Sequence, residues 1–258
     1  MTRDWKTSSQ REDAEALGEK HNDAGSAVPE VLRHSDVSDT NLSEYYSRRA
    51  VEYDEIYEKP EREQDLVVLR DRVKNILEGH GILEVACGTG YWTSLLSGVC
   101  PSVVATDASP EVLEVARSKP YGRGPVRFLI ADAYDLENVN GDFTAGFAGF
   151  WWSHVPKQRL PSFLTTFHRK LQPGAMVCFV DNQYVEGSST PISHTDEKGN
   201  SYQRRLLKDQ SEYCVVKNFP TRKELLTSVA PWTTASKVME QQYYWTLSYK
   251  LDLSVQHS

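Results

Sequence analysis

The sequence predicts an α/β fold, a parallel sheet with helices on both faces, on three observations. Short apolar runs at Ile82 to Val85, Val103 to Thr106, Val126 to Ala131, Phe143 to Phe150 and Ala175 to Asp181 read as strands buried on both faces. Stretches of helical periodicity alternate with these runs. The first run is followed at once by two closely spaced glycines, Gly88 and Gly90, where a strand stops and a ligand can approach the backbone.

Composition narrows the class. A chain of 258 residues with 39% hydrophobic content supports one substantial core, and one domain is the default. A formal net charge of −7 argues against a nucleic-acid partner, because phosphate binding needs a basic surface. The four cysteines, Cys87, Cys100, Cys178 and Cys214, lie far apart without a Cys-x-x-Cys pair, which suggests neither a zinc site nor a disulfide framework. The first residues contain no apolar h-region, and no stretch is long enough to cross a bilayer. The expectation is a soluble, cytoplasmic protein with reduced thiols and no membrane contact.

In chain order, residues 1–40 mix acids, serines and glycines with few large apolar groups and are expected to form a mostly flexible tail. The domain is expected over residues 41–258. Its lead-in, residues 41–80, is helical: Leu42, Tyr45, Tyr46, Ala50, Tyr53, Ile56 and Tyr57 recur at helical spacing, and Asp65 to Leu77 forms a further helix closed by Gly79 and Gly81. After strand one, a helix from Tyr91 to Ser97 follows. Ser109 caps a helix that has Pro110 at its first position, and Pro161 to Leu171 is also helical. Beyond Asp181 the alternation breaks. Residues 182–219 read as an insertion whose Tyr202 to Leu207 and Glu212 to Phe219 form a hairpin. Thr221 to Glu224 has the pattern of a capping box, opening a helix through Val229, and Lys237 to Glu240 and Gln242 to Leu251 supply the last strands.

The loop after strand one lacks the third glycine of a dinucleotide fingerprint and the Gly-Lys-Ser/Thr of a phosphate loop. Glu84-Val85-Ala86-Cys87-Gly88-Thr89-Gly90 instead resembles motif I of the class I S-adenosylmethionine-dependent methyltransferases, with Ala86 at the family's first glycine. Three further segments resemble that family in the right order: Val103 to Pro110, Phe128 to Ala133, and the Leu171 to Phe179 turn into strand five. The resemblance covers about Ser43 to Asp181. It implies a doubly wound, Rossmann-like sheet of seven strands, mostly parallel with an antiparallel last strand, for which Tyr243 to Tyr249 is suited.

The same resemblance implies S-adenosyl-L-methionine as cofactor and assigns its site. Glu84, Ala86, Cys87, Gly88 and Gly90 form the loop against it. Asp107 accepts the ribose hydroxyls, Ala108 lies against adenine, Asp132 accepts from the exocyclic amine and the Ala133 N–H serves a ring nitrogen. Phe150 closes strand four. Tyr46 and Tyr53 match a lead-in whose aromatic hydroxyl helps hold the cofactor carboxylate, with packing onto the sheet as the alternative.

Trp151, Trp152 and Tyr184 are candidates for walling the acceptor, though the two tryptophans suit packing equally well. His154 is the candidate general base, because imidazole titrates near neutrality. Asp181-Asn182 resembles the metal-binding pair of catechol-type O-methyltransferases, but the carboxylate needed after strand four is absent, so no metal is expected. The motifs of nucleobase-methylating enzymes are absent as well. The expected function is methyl transfer to an oxygen or nitrogen of a small-molecule acceptor. The alternatives are a protein or nucleic-acid methyltransferase and a non-catalytic cofactor-binding module. The insertion, carrying Tyr184, Glu186, His194, Tyr202, Arg204 and Arg205, is expected to roof the acceptor pocket, and a role in a homodimer interface stays open beside it.

Overall fold

A strand buried on both faces must present apolar side chains in both directions, and the central strands do so with a period of two. In the computed structural model, which describes Tyr57, residues 59–207 and residues 209–252, Ile82, Phe147 and Val180 point to one face while Leu83, Ala148 and Phe179 point to the other. The strands are β1 (Gly81–Val85), β2 (Ser102–Asp107), β3 (Val126–Ile130), β4 (Phe143–Gly149) and β5 (Leu171–Asn182), followed later by β9 (Ser236–Glu240) and β10 (Tyr244–Lys250). Their order is β3-β2-β1-β4-β5-β10-β9. The β3 to β5 block is parallel, and β10 runs antiparallel to both of its neighbours.

Helices cover both faces. On the first lie α1 (Glu63–Leu77), α2 (Tyr91–Leu96) and α3 (Pro110–Ser118). They contribute the buried Leu66, Leu69, Val73, Leu77, Trp92, Leu96 and Leu113. On the second lie α4 (Leu160–His168) and α5 (Arg222–Val229), which contribute Phe163, Leu164, Phe167, Leu225 and Val229. The predicted caps are present. The Ser109 hydroxyl accepts the Val112 N–H at 3.2 Å, and Thr221 and Glu224 bond reciprocally at the start of α5.

Several boundaries differ from the sequence reading, among them the start of β5 at Leu171 and the end of β8 at Val216. Gly79, with φ +78°, ends α1, but Gly81 is the first residue of β1. Helix α4 stops at His168 rather than Leu171, because Leu171 already pairs with Phe143 as the start of β5. The expectations for the tail at residues 1–40 and for the helix before Tyr57, including Tyr46 and Tyr53, lie outside the described residues.

The insertion forms a separate small antiparallel sheet of β6 (His194–Thr195), β7 (Ser201–Leu206) and β8 (Glu212–Val216). Asn218 ties it to the main sheet: its N–H donates to Ser153 O at 2.7 Å, its amide nitrogen to Val155 O at 3.1 Å, and its amide oxygen accepts the Ser201 N–H at 2.9 Å. The bond to Val155 O is buried away from water, and the bond to the Ser201 N–H is partly so. Asn218→Ala is therefore expected to lower the unfolding free energy by about 2 kcal/mol in urea denaturation. An unchanged midpoint would show that other contacts hold the insertion.

Candidate active site

In an open α/β sheet a ligand site forms beyond the carboxyl ends of the strands where strand succession reverses, here between β1 and β4. The two residues that leave these neighbouring strands share a rare backbone. Ala86 after β1 has φ +52° and Phe150 after β4 has φ +59°. A left-handed conformation costs a residue with a Cβ about 1–2 kcal/mol, and both are spent at one sheet edge. The Phe150 N–H is satisfied by Val180 O at 2.8 Å, and its ring packs among Tyr57, Trp92 and Tyr244. Its backbone therefore lies at the edge, while its ring belongs to the core.

The loop from Ala86 to Gly90 is fixed from the β2 side. The Cys87 N–H donates to Thr106 O at 2.9 Å, and the Gly88 N–H donates to Asp107 Oδ2 at 2.9 Å. Asp107 Oδ1 accepts the Ser109 N–H at 3.0 Å. Burial pushes the Asp107 carboxyl up, while the N–H groups of Ser109, Gly88 and Ala108 pull it down. Gly90, at φ +78°, is also a packing residue: a Cβ there would lie 2.5 Å from the Tyr121 hydroxyl and 3.2 Å from Ala116 Cβ on α3. Cys87 is buried, with its thiol pushed well above its ordinary range by burial, so it supplies backbone rather than reactivity.

The end of β3 adjoins Asp107. The Ala131 N–H donates to Asp107 O at 3.0 Å, which brings exposed Asp132 and buried Ala133 to the edge where exposed Ala108 also lies. Asp132 Oδ1 accepts the Tyr134 N–H at 2.9 Å, holding the turn. Glu84 sits beneath the loop, buried, accepting from the Thr93 hydroxyl at 2.7 Å. Burial pushes its carboxyl up to about 8.

Of the acceptor candidates, Trp152 is corrected. It is buried in the second face's core, edge-on to Phe179 and Trp245, and does not wall a pocket. Trp151 packs edge-on against Tyr134 and Phe163. Tyr184 is an exposed rim residue with its ring against Phe219. His154 is buried, and its Nδ1 lies 2.7 Å from Val216 O, which fixes Nδ1 as the donor of that hydrogen bond.

Asp181 is buried at the end of β5. Its Oδ2 accepts the Ser153 N–H at 2.9 Å, and its Oδ1 accepts from Asn182 and from Lys217 Nζ at 3.2 Å. Lys217 went unread in the sequence. Its signal was a charge directly after the apolar run Val215-Val216 of a strand. Among the described residues no group of three or more His, Cys, Asp or Glu side chains converges as a metal site, and no helix is long and apolar enough to cross a membrane.

Residues 82–174 match the family model described as a methyltransferase domain. Over these residues the chain is similar to the methyltransferase domains of the class I S-adenosylmethionine-dependent family. The chain is 31% identical over 137 residues to the O-methyltransferase cnsE of Penicillium expansum, an alignment covering 48% of this chain and 49% of that one. It is 34% identical over 106 residues to a demethylmenaquinone methyltransferase of Staphylococcus epidermidis, covering 40% and 43% respectively. The chain thus spans about half the length or less of these curated relatives. Its fold is similar to DhpI solved in complex with SAM and HEP, with TM-score 0.68, 27% identity, and coverage of 83% of this chain and 98% of that chain. The insertion lies beyond the family match, which ends at Gly174.

The state of Glu84 yields a pH prediction. Its folded-state pKa lies above the ordinary 4.5, so between 4.5 and about 8 the native state holds a proton that the unfolded state has released. Stability must fall as pH rises across that window. Glu84→Gln, which cannot titrate, is expected to show a flatter dependence of melting temperature on pH there than wild type. Parallel curves would contradict the assignment.

Proposed function

We propose that this protein transfers the methyl group of S-adenosylmethionine to an oxygen or nitrogen of a small-molecule acceptor. The observation that carries the reading is the gathering of the strained Ala86 and Phe150, the pre-oriented Asp107, and Asp132 with Ala133 at one carboxyl edge of the sheet. These residues fit the cofactor. Asp107 is held by backbone donors with lone pairs left to accept ribose hydroxyls, and Gly88 and Gly90 let the loop approach without a Cβ. Asp132 and the Ala133 N–H have the donor and acceptor pattern that adenine requires.

The cofactor supplies an electrophilic methyl on a sulfonium, so the protein's work is alignment and exclusion of water. Kinship with an O-methyltransferase favours oxygen as the acceptor atom. A neutral hydroxyl acceptor must lose its proton, and His154, an imidazole oriented by its Nδ1–H bond to Val216 O after β4, is our candidate for the general base. The acidic charge balance of the chain supports a small acceptor over a nucleic acid.

Calorimetric titration with S-adenosylhomocysteine tests the cofactor assignment. Wild type is expected to bind with 1:1 stoichiometry. Asp107→Ala, leaving two ribose hydroxyls unpaired, is expected to lose roughly 2 to 4 kcal/mol of affinity. Binding as tight as wild type in the variant would place the ribose elsewhere, and no binding by wild type would sink the proposal.

A further inference from the structure

Four cationic side chains converge where the insertion meets the sheet. Lys59 and Arg62 both bond Ser188, with Lys59 Nζ donating to its carbonyl at 2.6 Å and Arg62 Nε to its hydroxyl at 2.9 Å. Arg62 also reaches Asn182 Oδ1 at 3.2 Å and Ser189 Oγ at 3.5 Å. Arg205, on β7, donates to Thr190 Oγ1 at 2.9 Å and Gln203 Oε1 at 2.6 Å. Lys217 donates to Ser153 Oγ at 2.6 Å and Asp181 Oδ1 at 3.2 Å. The cations therefore crowd around two short strips, residues 181–182 and 188–190, that continue from the carboxyl end of β5.

The charges do not balance there. Among the described residues Asp181 is the carboxylate in ion-pair contact with this group, and it is already taken by Lys217. Arg62 is only 6% exposed, yet all of its hydrogen-bond acceptors are neutral oxygens. Exposed Glu61, bonded by Ser188, answers part of the charge of Lys59 and Arg62 from the solvent side, which still leaves four cations facing two carboxylates. Arg205 likewise meets only neutral oxygens. Arg62 and Arg205 are close enough to Lys217 to help depress its ammonium, after burial as the first cause. Burying cations without a counter-ion costs several kcal/mol, and cations are concentrated here in a chain whose net charge is −7. An anion relieves that cost.

We propose that Arg62 and Arg205, backed by Lys217, form a subsite for a small oxyanion, so that the methyl acceptor is a small molecule bearing a carboxylate or a phosphorus oxyanion. The subsite rests on the proposed function for its meaning, because it names the acceptor class of that same site. Guanidinium groups suit this task, presenting paired N–H donors to planar or tetrahedral oxyanions.

The test uses the full-length chain saturated with S-adenosylhomocysteine and titrates inorganic phosphate and, separately, acetate by calorimetry at fixed ionic strength. Wild type is expected to bind at least one of them at roughly 1–10 mM, and Arg62→Gln and Arg205→Gln are each expected to weaken that binding roughly tenfold. Affinity for S-adenosylhomocysteine should stay unchanged in both, which separates an acceptor subsite from a cofactor-carboxylate site. The better-bound probe assigns the oxyanion class. If buried Arg62→Gln fails to fold, the half-buried Arg205→Gln decides alone. Absence of binding by the loaded wild type, equal binding by the variants, or a loss of S-adenosylhomocysteine affinity in their place overturns the subsite. If S-adenosylhomocysteine itself does not bind wild type, the proposed function falls, and phosphate and acetate titrated into the unliganded chain still decide the subsite.

Discussion

The buried contact between Lys217 and Asp181 constrains how the insertion sits against the rest of the molecule. Removing two charges from water is offset only when the geometry is good and the remaining donors and acceptors are met. Here Lys217 also meets the Ser153 hydroxyl, and Asp181 takes the N–H groups of Ser153 and Asn182, so the pair joins the segment after β4, the end of β5 and the end of β8. Lose one partner and the other is left as an unpaired buried charge. That contact, with Asn218 beside it, sets where the insertion lies, and so where Arg205 is held on β7.

At the carboxyl ends of β1 and β2 the governing feature is a loop whose shape is fixed by its own hydrogen bonds. Asp107 clamps the Gly88 N–H while keeping the Ser109 N–H, and Cys87 is tied to β2. Ala86 and Phe150 carry backbone strain at the reversal point of the sheet, and the hydrophobic packing of Phe150 against Tyr57, Trp92 and Tyr244 helps hold it there. A rigid edge of this kind spends no binding energy on ordering itself. The protonated state favoured for buried Glu84 limits the repulsion that a second carboxylate near Asp107 would bring.

The elements were largely legible because their signals are local. Strand runs such as Ile82 to Val85, the Ser109-Pro110 cap and the Thr221 to Glu224 box act within a few residues, and the structure reproduces them. Ordered motifs also placed Asp107, Asp132 and the glycine loop at one edge. What failed depended on partners distant in sequence. Trp152 looks the same in sequence whether it meets an acceptor or Trp245, which lies on another strand; only the pairing of β10 with β5 decides for packing. Asp181 reads as a polar strand end until Lys217 is brought against it from the hairpin. The cation group is invisible for the same reason: Arg62, Arg205 and Lys217 are single charges in three separate segments, each resembling a solvated surface residue.

The central claim is that this fold carries a methyl group to a small anionic acceptor. Incubating the protein with isotopically methyl-labelled S-adenosylmethionine and a panel of small carboxylates and phosphorus oxyanions, each paired with a neutral isostere, tests it most directly when products are read by mass spectrometry. The account predicts label in a low-molecular-weight anionic acceptor, one S-adenosylhomocysteine per methyl transferred, and little or no transfer to the neutral isosteres. Label confined to macromolecules, or neutral isosteres methylated as readily as the anions, would contradict it.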